Sequence, residues 1–259
     1  MTDVLLEVRG LTKSFGGLCA VDGVDFTVRA NSVRGLIGPN GAGKTTLLDL
    51  ITGFTAPDAG TVRFGGENVL GRPSHTLPAR GLMRTFQSAR LVPRLTVREN
   101  VMLGAHHLTK AGFLADGLRL PLARREQRAL ERRADAVLDF LGLGRFRDTA
   151  GAELPTGAQR LLEVGRALAG APTLLLLDEP AAGLDGTETA ELGTVLRAMA
   201  AAGTALVLIE HDVELVMAIS DEVLVLDAGK VIADGPPAEV RTNPAVLAAY
   251  LGSTEEAPA

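Results

Sequence analysis

The chain has 259 residues, of which 46% are hydrophobic and 22% charged, and its formal net charge is −5. This length can bury a sizeable core in one large domain or two modest ones, and the acidic balance argues against a nucleic-acid partner. The apolar stretches, such as residues 167–177 and 198–209, are shorter than the roughly 18 to 20 residues that cross a bilayer, so we expect no transmembrane helix.

The N-terminus and the cysteine content indicate the compartment. Residues 1–4 have neither the basic start nor the apolar stretch of a secretory signal, so we expect a cytoplasmic protein. Cys19 is the only cysteine and has no motif around it. We therefore expect it to be a small core residue rather than a reactive thiol.

The N-terminal part alternates between short β-rich runs and Gly/Asp turns at residues 16–17 and 22–23. Helix signals begin at Gly43. The predicted strands in this part are residues 5–9, 24–28, 33–37, 61–64 and 82–86.

A glycine-rich loop follows the third of these strands. Residues 38–45 read Gly-Pro-Asn-Gly-Ala-Gly-Lys-Thr, the G-x-x-x-x-G-K-[ST] pattern between a predicted strand and a predicted helix. Small residues allow successive N–H groups to converge on one anion, and the helix dipole adds to the field. We expect Lys44 to reach the β- and γ-phosphates and the Thr45 hydroxyl to bind Mg²⁺. The alternative is a glycine-rich turn with an incidental lysine.

Residues 96–166 are predicted to be mainly helical. Within residues 121–142 the apolar positions recur at three- and four-residue steps, which places them on one helix face. Several arginines fall mostly off that face, and they indicate either a solvated surface or contact with a partner or acidic lipid. The apolar positions are Leu130, Ala134, Val137, Leu138 and Leu141, and the arginines are Arg124, Arg125, Arg128, Arg132 and Arg133.

After Pro172 strands and helices alternate again, which predicts an α/β core with ligands at the carboxyl edge of its sheet. The predicted strands are residues 173–177, 204–209, 222–226 and 230–233, and the predicted helices are residues 187–202 and 213–219. Asp178 and Glu179 follow four leucines at the end of a strand expected to be buried on both faces. We expect Asp178 to hold Mg²⁺ and Glu179 to act as general base toward an attacking water.

With these elements in order, the chain resembles an ABC ATPase over nearly its whole length. The resemblance identifies Gln87 with the Q-loop glutamine that touches Mg²⁺ and senses the membrane partner, Asp185 with the D-loop, and His211 with the switch histidine that hydrogen-bonds the γ-phosphate. It places Phe15 against the adenine, with Val21 among the nucleotide-binding residues, although Phe15 could instead be a core residue. A stacking aromatic discriminates little between bases.

The resemblance implies a P-loop NTPase domain of the ABC type, with a RecA-like core, an antiparallel β subdomain and a helical subdomain. We expect one domain, with the core at about residues 1–86 and 167–235, the helical lobe at about 87–166 and a helical tail at about 236–259. The candidate catalytic residues are Lys44, Gln87, Glu179 and His211. The candidate nucleotide-binding residues are Phe15, Val21, Gly38, Pro39, Asn40, Gly41, Ala42, Gly43, Lys44, Thr45, Thr46, Gln87, Thr156, Gly157, Asp178, Asp185 and His211. The candidate metal ligands are Thr45, Gln87 and Asp178.

The family's signature loop, usually Leu-Ser-Gly-Gly-Gln, is altered here. Residues 154–160 read Leu-Pro-Thr-Gly-Ala-Gln-Arg. In the family this loop caps the ATP held by the opposite subunit, but Pro155 replaces the serine and has no N–H to donate. Gly157 keeps a close backbone approach, and the Thr156 hydroxyl is a partial substitute. The loop either works with a weaker grip or belongs to a chain that pairs with a different ATPase subunit; we favour the second.

Within the family the resemblance is closest to the ATPase subunits of branched-chain amino-acid importers, on residues 11–17, 180–184, 209–212 and the tail at 243–252. It implies ATP and Mg²⁺, a second ATPase subunit, two membrane permease subunits, an indirect solute-binding protein and a peripheral location at the inner face of the cell membrane. The alternatives are the ATPase of a lipid or lipopolysaccharide exporter, a soluble non-transport ABC protein, and an unrelated P-loop kinase or GTPase.

Overall fold

The computed structural model describes residues 4–85, 91–109 and 121–252. The strands are β1 (Val4–Phe15), β2 (Leu18–Arg29), β3 (Val33–Ile37), β4 (Ala59–Phe64), β5 (Glu67–Asn68), β6 (Leu82–Arg84), β7 (Leu174–Asp178), β8 (Ala205–Ile209), β9 (Glu222–Asp227) and β10 (Lys230–Gly235). The helices are α1 (Lys44–Ile51), α2 (Val97–Gly104), α3 (Pro121–Phe140), α4 (Thr156–Ala169), α5 (Gly186–Ala201), α6 (Val213–Ile219), α7 (Pro237–Arg241) and α8 (Pro244–Gly252).

The N-terminal strands form an antiparallel sheet in the order β2-β1-β4-β5. The predicted turn at residues 16–17 joins β1 to β2, where Phe15 pairs with Leu18. The predicted turn at residues 22–23 is wrong, because both residues lie inside β2. Gly23 has a left-handed φ of 64°, and the β1–β2 ladder shifts register between Leu11 and Lys13. The glycine therefore marks an irregularity that the strand passes through rather than a chain reversal.

The larger sheet has the order β10-β9-β3-β8-β7-β6, and its pairs are parallel except for β9–β10. Strands β3, β7 and β8 are buried at every position, as their continuous apolar runs predict. Alternate residues of β7 face opposite sides: Leu174 and Leu176 join the cluster under the small sheet and α1, whereas Leu175 and Leu177 join the cluster under α5 and α6. The sheet is thus covered on both faces.

The α2, α3 and α4 helices build a third hydrophobic cluster. The apolar positions predicted within residues 121–142 pack into it, and Ala134, Val137, Leu138 and Leu141 are buried. Helix α4 contributes to two clusters, since Leu162 lies among the helices and Val164 lies under the large sheet. This helix therefore packs against both the helical layer and the large sheet.

The arginines of α3 lie on the outside of this cluster. Arg124, Arg125, Arg128 and Arg132 are exposed, while Arg133 donates through Nε to the Ala169 carbonyl. Among the helices within residues 4–85, 91–109 and 121–252, none combines the length and apolar character needed to cross a bilayer.

The burial of β7 predicts that replacing a leucine of this strand lowers stability far more than replacing an exposed leucine elsewhere. Leu176→Ala should lower the free energy of unfolding by about 2–5 kcal/mol, because the side chain is fully buried and its removal leaves a cavity. Leu247→Ala on α8 is the matched control; its side chain is 50% exposed, and its change should stay within about 0.5 kcal/mol. Urea denaturation followed by circular dichroism measures both, and equal losses would contradict the assignment of β7 to the core.

Candidate functional site

The phosphate loop predicted at residues 38–45 connects β3 to α1 through a tightly folded backbone. Gly41 and Gly43 have left-handed φ values of 79° and 99°, and Gly38 has a φ of 153°. A Cβ atom on Gly43 would lie 2.2 Å from the Ala20 carbonyl oxygen, and one on Gly38 would lie 2.1 Å from the Leu226 carbonyl oxygen. Only glycine fits both the conformation and the space at these two positions.

Lys44 is the first residue of α1, and its side chain folds back over this loop. Its Nζ donates to the carbonyl oxygens of Gly38 at 2.7 Å and Pro39 at 2.9 Å. Burial lowers the pKa of Lys44, and the negative charges of Glu179 and Asp178 oppose that shift. The two carboxylates thus stabilise the positive charge of the Lys44 ammonium at the mouth of the loop. No side chain caps the start of α1, so its N-terminal N–H groups remain available to an anion.

A cavity of about 670 Å³ opens over the loop. It brings together most of the predicted nucleotide-binding residues with both candidate catalytic residues from the second half of the chain. Its lining consists of Phe15, Leu18, Cys19, Ala20, Asn40, Gly41, Ala42, Gly43, Lys44, Thr45, Thr46, Glu179, His211 and Ala228. The Phe15 ring is 49% exposed and has the Lys13 ammonium 5.4 Å from its centroid. Phe15 is therefore not a core residue.

Two residues near the cavity differ from the sequence-based expectation. Val21 is fully buried in the hydrophobic cluster beneath the small sheet, and the cavity wall is formed instead by its neighbours Cys19 and Ala20. Cys19 is half-buried, with its Sγ 3.3 Å from the Val21 carbonyl oxygen. The prediction that Cys19 is a core residue is wrong, because the start of β2 runs along the cavity rather than under it.

Asp178 is the last residue of β7 and is almost completely buried. Its Oδ2 accepts a hydrogen bond from Nη2 of Arg84 at 3.0 Å, while its Oδ1 has no partner among the described residues. Burial raises the pKa of Asp178, and the Arg84 guanidinium opposes that shift. A buried carboxylate with one uncommitted oxygen can accept a cation or a water molecule.

Glu179 follows in a left-handed conformation, with φ of 52°. For a residue with a Cβ atom this conformation costs of order 1–3 kcal/mol and persists only where neighbours enforce it. Here the Glu179 N–H donates to the Ile209 carbonyl at 2.9 Å, and Oε1 lies 2.8 Å from Nε2 of His211. The turn directs the carboxylate of Glu179 into the cavity.

Glu210 is a site residue that the sequence analysis missed. Its carboxylate is buried and accepts the N–H of Ala181 at 2.5 Å and that of His211 at 3.2 Å. Burial raises the pKa of Glu210, and these two hydrogen bonds oppose the shift. Glu210 therefore joins the segment after Glu179 to the predicted switch histidine. The sequence signal for a site residue here was that Glu210 directly follows the apolar run of β8, as Glu179 directly follows β7.

Tyr250 connects the C-terminal helix to the phosphate loop and was also missed. The Gly38 N–H donates to its hydroxyl oxygen, and this bond partly opposes the rise that burial causes in the pKa of Tyr250. The ring packs against the same cluster as Val246 and Ile232, under the large sheet. It is the only tyrosine in the chain, which gave no pattern from which to predict the contact.

The predicted signature and D-loop residues lie away from the cavity. Helix α4 begins at Thr156 after Pro155, and no side chain caps its N-terminus. Asp185 caps α5 by accepting the Glu188 N–H at 2.8 Å, and a Cβ atom on Gly157 would lie 2.3 Å from Oε1 of Glu188. The two segments thus pack on each other within one chain. Gln87 lies outside the described residues.

Comparison with known protein families finds matches in two parts of the chain. Residues 21–182 match the family described as ABC transporter, and residues 230–256 match the family described as branched-chain amino acid ATP-binding cassette transporter. The high-affinity branched-chain amino acid transport ATP-binding protein BraF of Pseudomonas aeruginosa is 42% identical, covering 97% of this chain and 99% of the relative. The corresponding LivG protein of Escherichia coli is 40% identical over the same shares.

Solved structures agree with these sequence relatives. The ADP conformation of MJ1267, an ATP-binding cassette of an ABC transporter, has a TM-score of 0.84 and 30% identity, covering 96% of this chain and 99% of that one. A nucleotide-free ATP-binding cassette from an ABC transporter has a TM-score of 0.82 and 29% identity, covering 95% and 98%.

The geometry of the loop predicts different effects of two glycine substitutions. Gly41→Ala should lower the free energy of unfolding by about 1–2 kcal/mol, since only its left-handed conformation is strained and nothing lies within 4 Å of a Cβ atom there. Gly43→Ala should lower it further, because its Cβ atom also meets the Ala20 carbonyl. Thermal melting followed by circular dichroism ranks the two, and the reverse order would contradict this packing of the loop on β2.

Proposed function

Since the chain belongs to the ABC transporter family, whose activity is ATP hydrolysis, we propose that it binds ATP with Mg²⁺ in the cavity over the phosphate loop and couples hydrolysis to movement of membrane subunits. One observation carries the proposal: the glycine loop with Lys44 lies beside the Asp178–Glu179 pair at one edge of the large sheet, with Glu179 lining the cavity and Asp178 buried at the end of β7, although loop and pair are more than a hundred residues apart in the sequence. Phosphate-binding and acid–base groups are thereby combined in one cavity.

The triphosphate would lie against the loop. The N–H groups at the start of α1 and the Lys44 ammonium supply positive potential there, and Lys44 can exchange its two carbonyl partners for phosphate oxygens. The exposed ring of Phe15 would stack on the adenine at the outer end of the cavity. Pro39, Asn40, Ala42 and Thr46 shape this loop and the first turn of α1.

The residues present fit a magnesium ion. The unpartnered Oδ1 of Asp178 and the exposed Thr45 hydroxyl are hard oxygen ligands of the kind that Mg²⁺ prefers, and we propose Gln87 as a third. The ion would neutralise charge on the phosphate oxygens.

Glu179 is proposed as the general base. It would take a proton from a water molecule whose oxygen bonds to the γ-phosphorus, while the bond from that phosphorus to the β–γ bridging oxygen breaks and ADP leaves. His211 holds the Glu179 carboxylate at 2.8 Å and is itself fixed through Glu210. We propose that His211 also hydrogen-bonds the γ-phosphate, as the family resemblance implies.

We further propose that the chain serves an importer of branched-chain amino acids. The support is the transport function of its relatives and the match of residues 230–256 to a family described by that transport system. The comparisons do not favour an exporter or a non-transport protein. In this role the chain would be peripheral at the inner face of the membrane, held by permease subunits, with a solute-binding protein as an indirect partner. Nucleotide would act by favouring the closed ATPase dimer over the open one.

The substitution of Glu179 by Gln tests the catalytic part of this proposal. Glu179→Gln should retain ATP binding and slow turnover by about 10²- to 10⁴-fold, because the amide cannot accept the proton. Lys44→Ala should instead weaken nucleotide binding itself. Equilibrium binding of a fluorescent ATP analogue and phosphate release in the assembled transporter separate the two effects. Glu239→Gln, on an exposed part of α7, is the matched control, and parental turnover by Glu179→Gln would refute the assignment of the base.

The altered signature loop generates a prediction about assembly. Thr156, Gly157 and Asp185 are proposed to face the ATP bound by a second subunit, and Pro155, directly before the first residue of α4, has no N–H to donate. If the natural partner is a different ATPase with an intact loop, the isolated chain should hydrolyse ATP at least about tenfold more slowly than the mixture. Phosphate release from the chain alone, the partner alone and the mixture measures this. Full activity of the isolated homodimer would count against a mixed dimer.

A further inference from the structure

Arg84, at the end of β6, is a buried arginine that lies between two carboxylates. Its side chain is 5% exposed. Nη2 lies 3.0 Å from Oδ2 of Asp178, and Nη1 lies 2.5 Å from Oδ1 of Asp49. Nη1 also lies 3.3 Å from the Thr52 hydroxyl. One guanidinium therefore spans the end of β7 and the side of α1.

The two carboxylate oxygens of Asp178 differ in their hydrogen bonding. Oδ2 is committed to Arg84, whereas Oδ1 has no partner within the described residues. The neighbouring Thr85 hydroxyl lies 3.4 Å from the Asp178 N–H, so the backbone at this point also contacts the segment that carries Arg84. The planar guanidinium fixes the carboxylate plane, because its N–H groups point in set directions.

The second carboxylate connects Arg84 to the other half of the proposed metal site. Asp49 lies on α1 four residues after Thr45, hence on the same helix face. A movement of Asp178 away from α1 would stretch one of the two ion pairs of Arg84. A third residue that need not touch the ion thus links the helix of Thr45 to the end of β7 that carries Asp178.

We propose that Arg84 is a positioning residue for the divalent ion, orienting Oδ1 of Asp178 toward it and fixing the distance between β7 and α1. The inference rests on the proposed metal site at Thr45 and Asp178. It assigns a role in metal affinity to a residue of the strand that precedes the Q-loop, separate from the role of Gln87.

The chain provides a matched control for the stability effect of removing a buried arginine. Arg34, on β3, is 3% exposed and also pairs with two carboxylates, those of Glu222 and Asp234. It lies near the start of β3, whereas the phosphate loop follows the end of that strand. Arg34→Gln should therefore lower the melting temperature, as we expect of Arg84→Gln, without changing the affinity for the metal.

The test measures Mn²⁺ affinity of the full chain at saturating ADP by electron paramagnetic resonance, and ADP affinity in EDTA by calorimetry. Arg84→Gln should weaken Mn²⁺ binding by about 10- to 100-fold, the usual range for losing a residue that orients a metal ligand, and leave metal-free ADP affinity unchanged. Arg84→Lys keeps the positive charge and should recover some of the lost affinity. The recovery should be incomplete, because one ammonium cannot hold both carboxylates as a guanidinium does. Asp49→Asn should give a smaller loss, since the Arg84–Asp178 pair remains.

Parental Mn²⁺ affinity in Arg84→Gln, with a lowered melting temperature like that of Arg34→Gln, would overturn the inference by showing a purely structural role. Tighter Mn²⁺ binding would also overturn it, because Arg84 would then compete with the ion. Should Arg84→Gln fail to fold, Arg84→Lys and Asp49→Asn decide by the same readout. If the parent protein shows no metal-dependent ADP affinity, the proposed metal site itself fails, and this inference fails with it.

Discussion

The parallel pairing of β3, β8 and β7 is the constraint on which the site depends. In this register Leu36 pairs with Ile209, and Asp178 pairs with the same Ile209 from the other side. Three strands consequently end at one level, and the residues that follow them emerge together at the carboxyl edge of the sheet. A shift of one residue in either pair would turn the side chains of a strand toward the opposite face and move its end relative to the phosphate loop.

The burial that fixes this register also supports the strained and charged parts of the site. The left-handed turn at Glu179 is bonded to the Ile209 carbonyl, and the buried Glu210 holds the N–H groups of Ala181 and His211. The bonds of Glu179 and Ala181 thus join the segment after β7 to the end of β8. Burial shifts the pKa values of Lys44, Asp178 and Glu210, and nearby hydrogen bonds or charges oppose each of these shifts. Perturbed pKa values cluster at functional sites.

Sequence patterns could predict the features that are local in the chain. The glycine loop, the two acids after a leucine run and the apolar face of α3 are each contained in a short window, and the structure has them where they were expected. The family relationship was also predictable, because its motifs occur in a fixed order. By contrast, the irregularity at Gly23 depends on which strand β2 pairs with, so a Gly/Asp pair there looked like a turn. The half-buried position of Cys19 and the full burial of Val21 depend on how the small sheet packs against the loop.

The remaining site residues were not predictable because their meaning comes from partners far along the chain. Arg84 lies 94 residues before Asp178, and the family resemblance of the neighbouring segment concerns Gln87 and gives no role to Arg84. Glu210 looked like part of the switch segment, but its two bonds to backbone N–H groups give it a separate structural role. The roles assigned to Gln87, Thr156 and Asp185 rest on family order and remain predictions.

The hydrogen bond between Gly38 and Tyr250 has a consequence for the last residues of the chain. Helix α8 lies in the segment that matches the branched-chain family, yet its tyrosine touches the first glycine of a loop shared by P-loop proteins in general. A chain shortened before residue 250 would lose a brace of its nucleotide cradle rather than a dispensable extension. Exchanging C-terminal segments between cassettes of different transporters would likewise change the surroundings of the loop that all of them share.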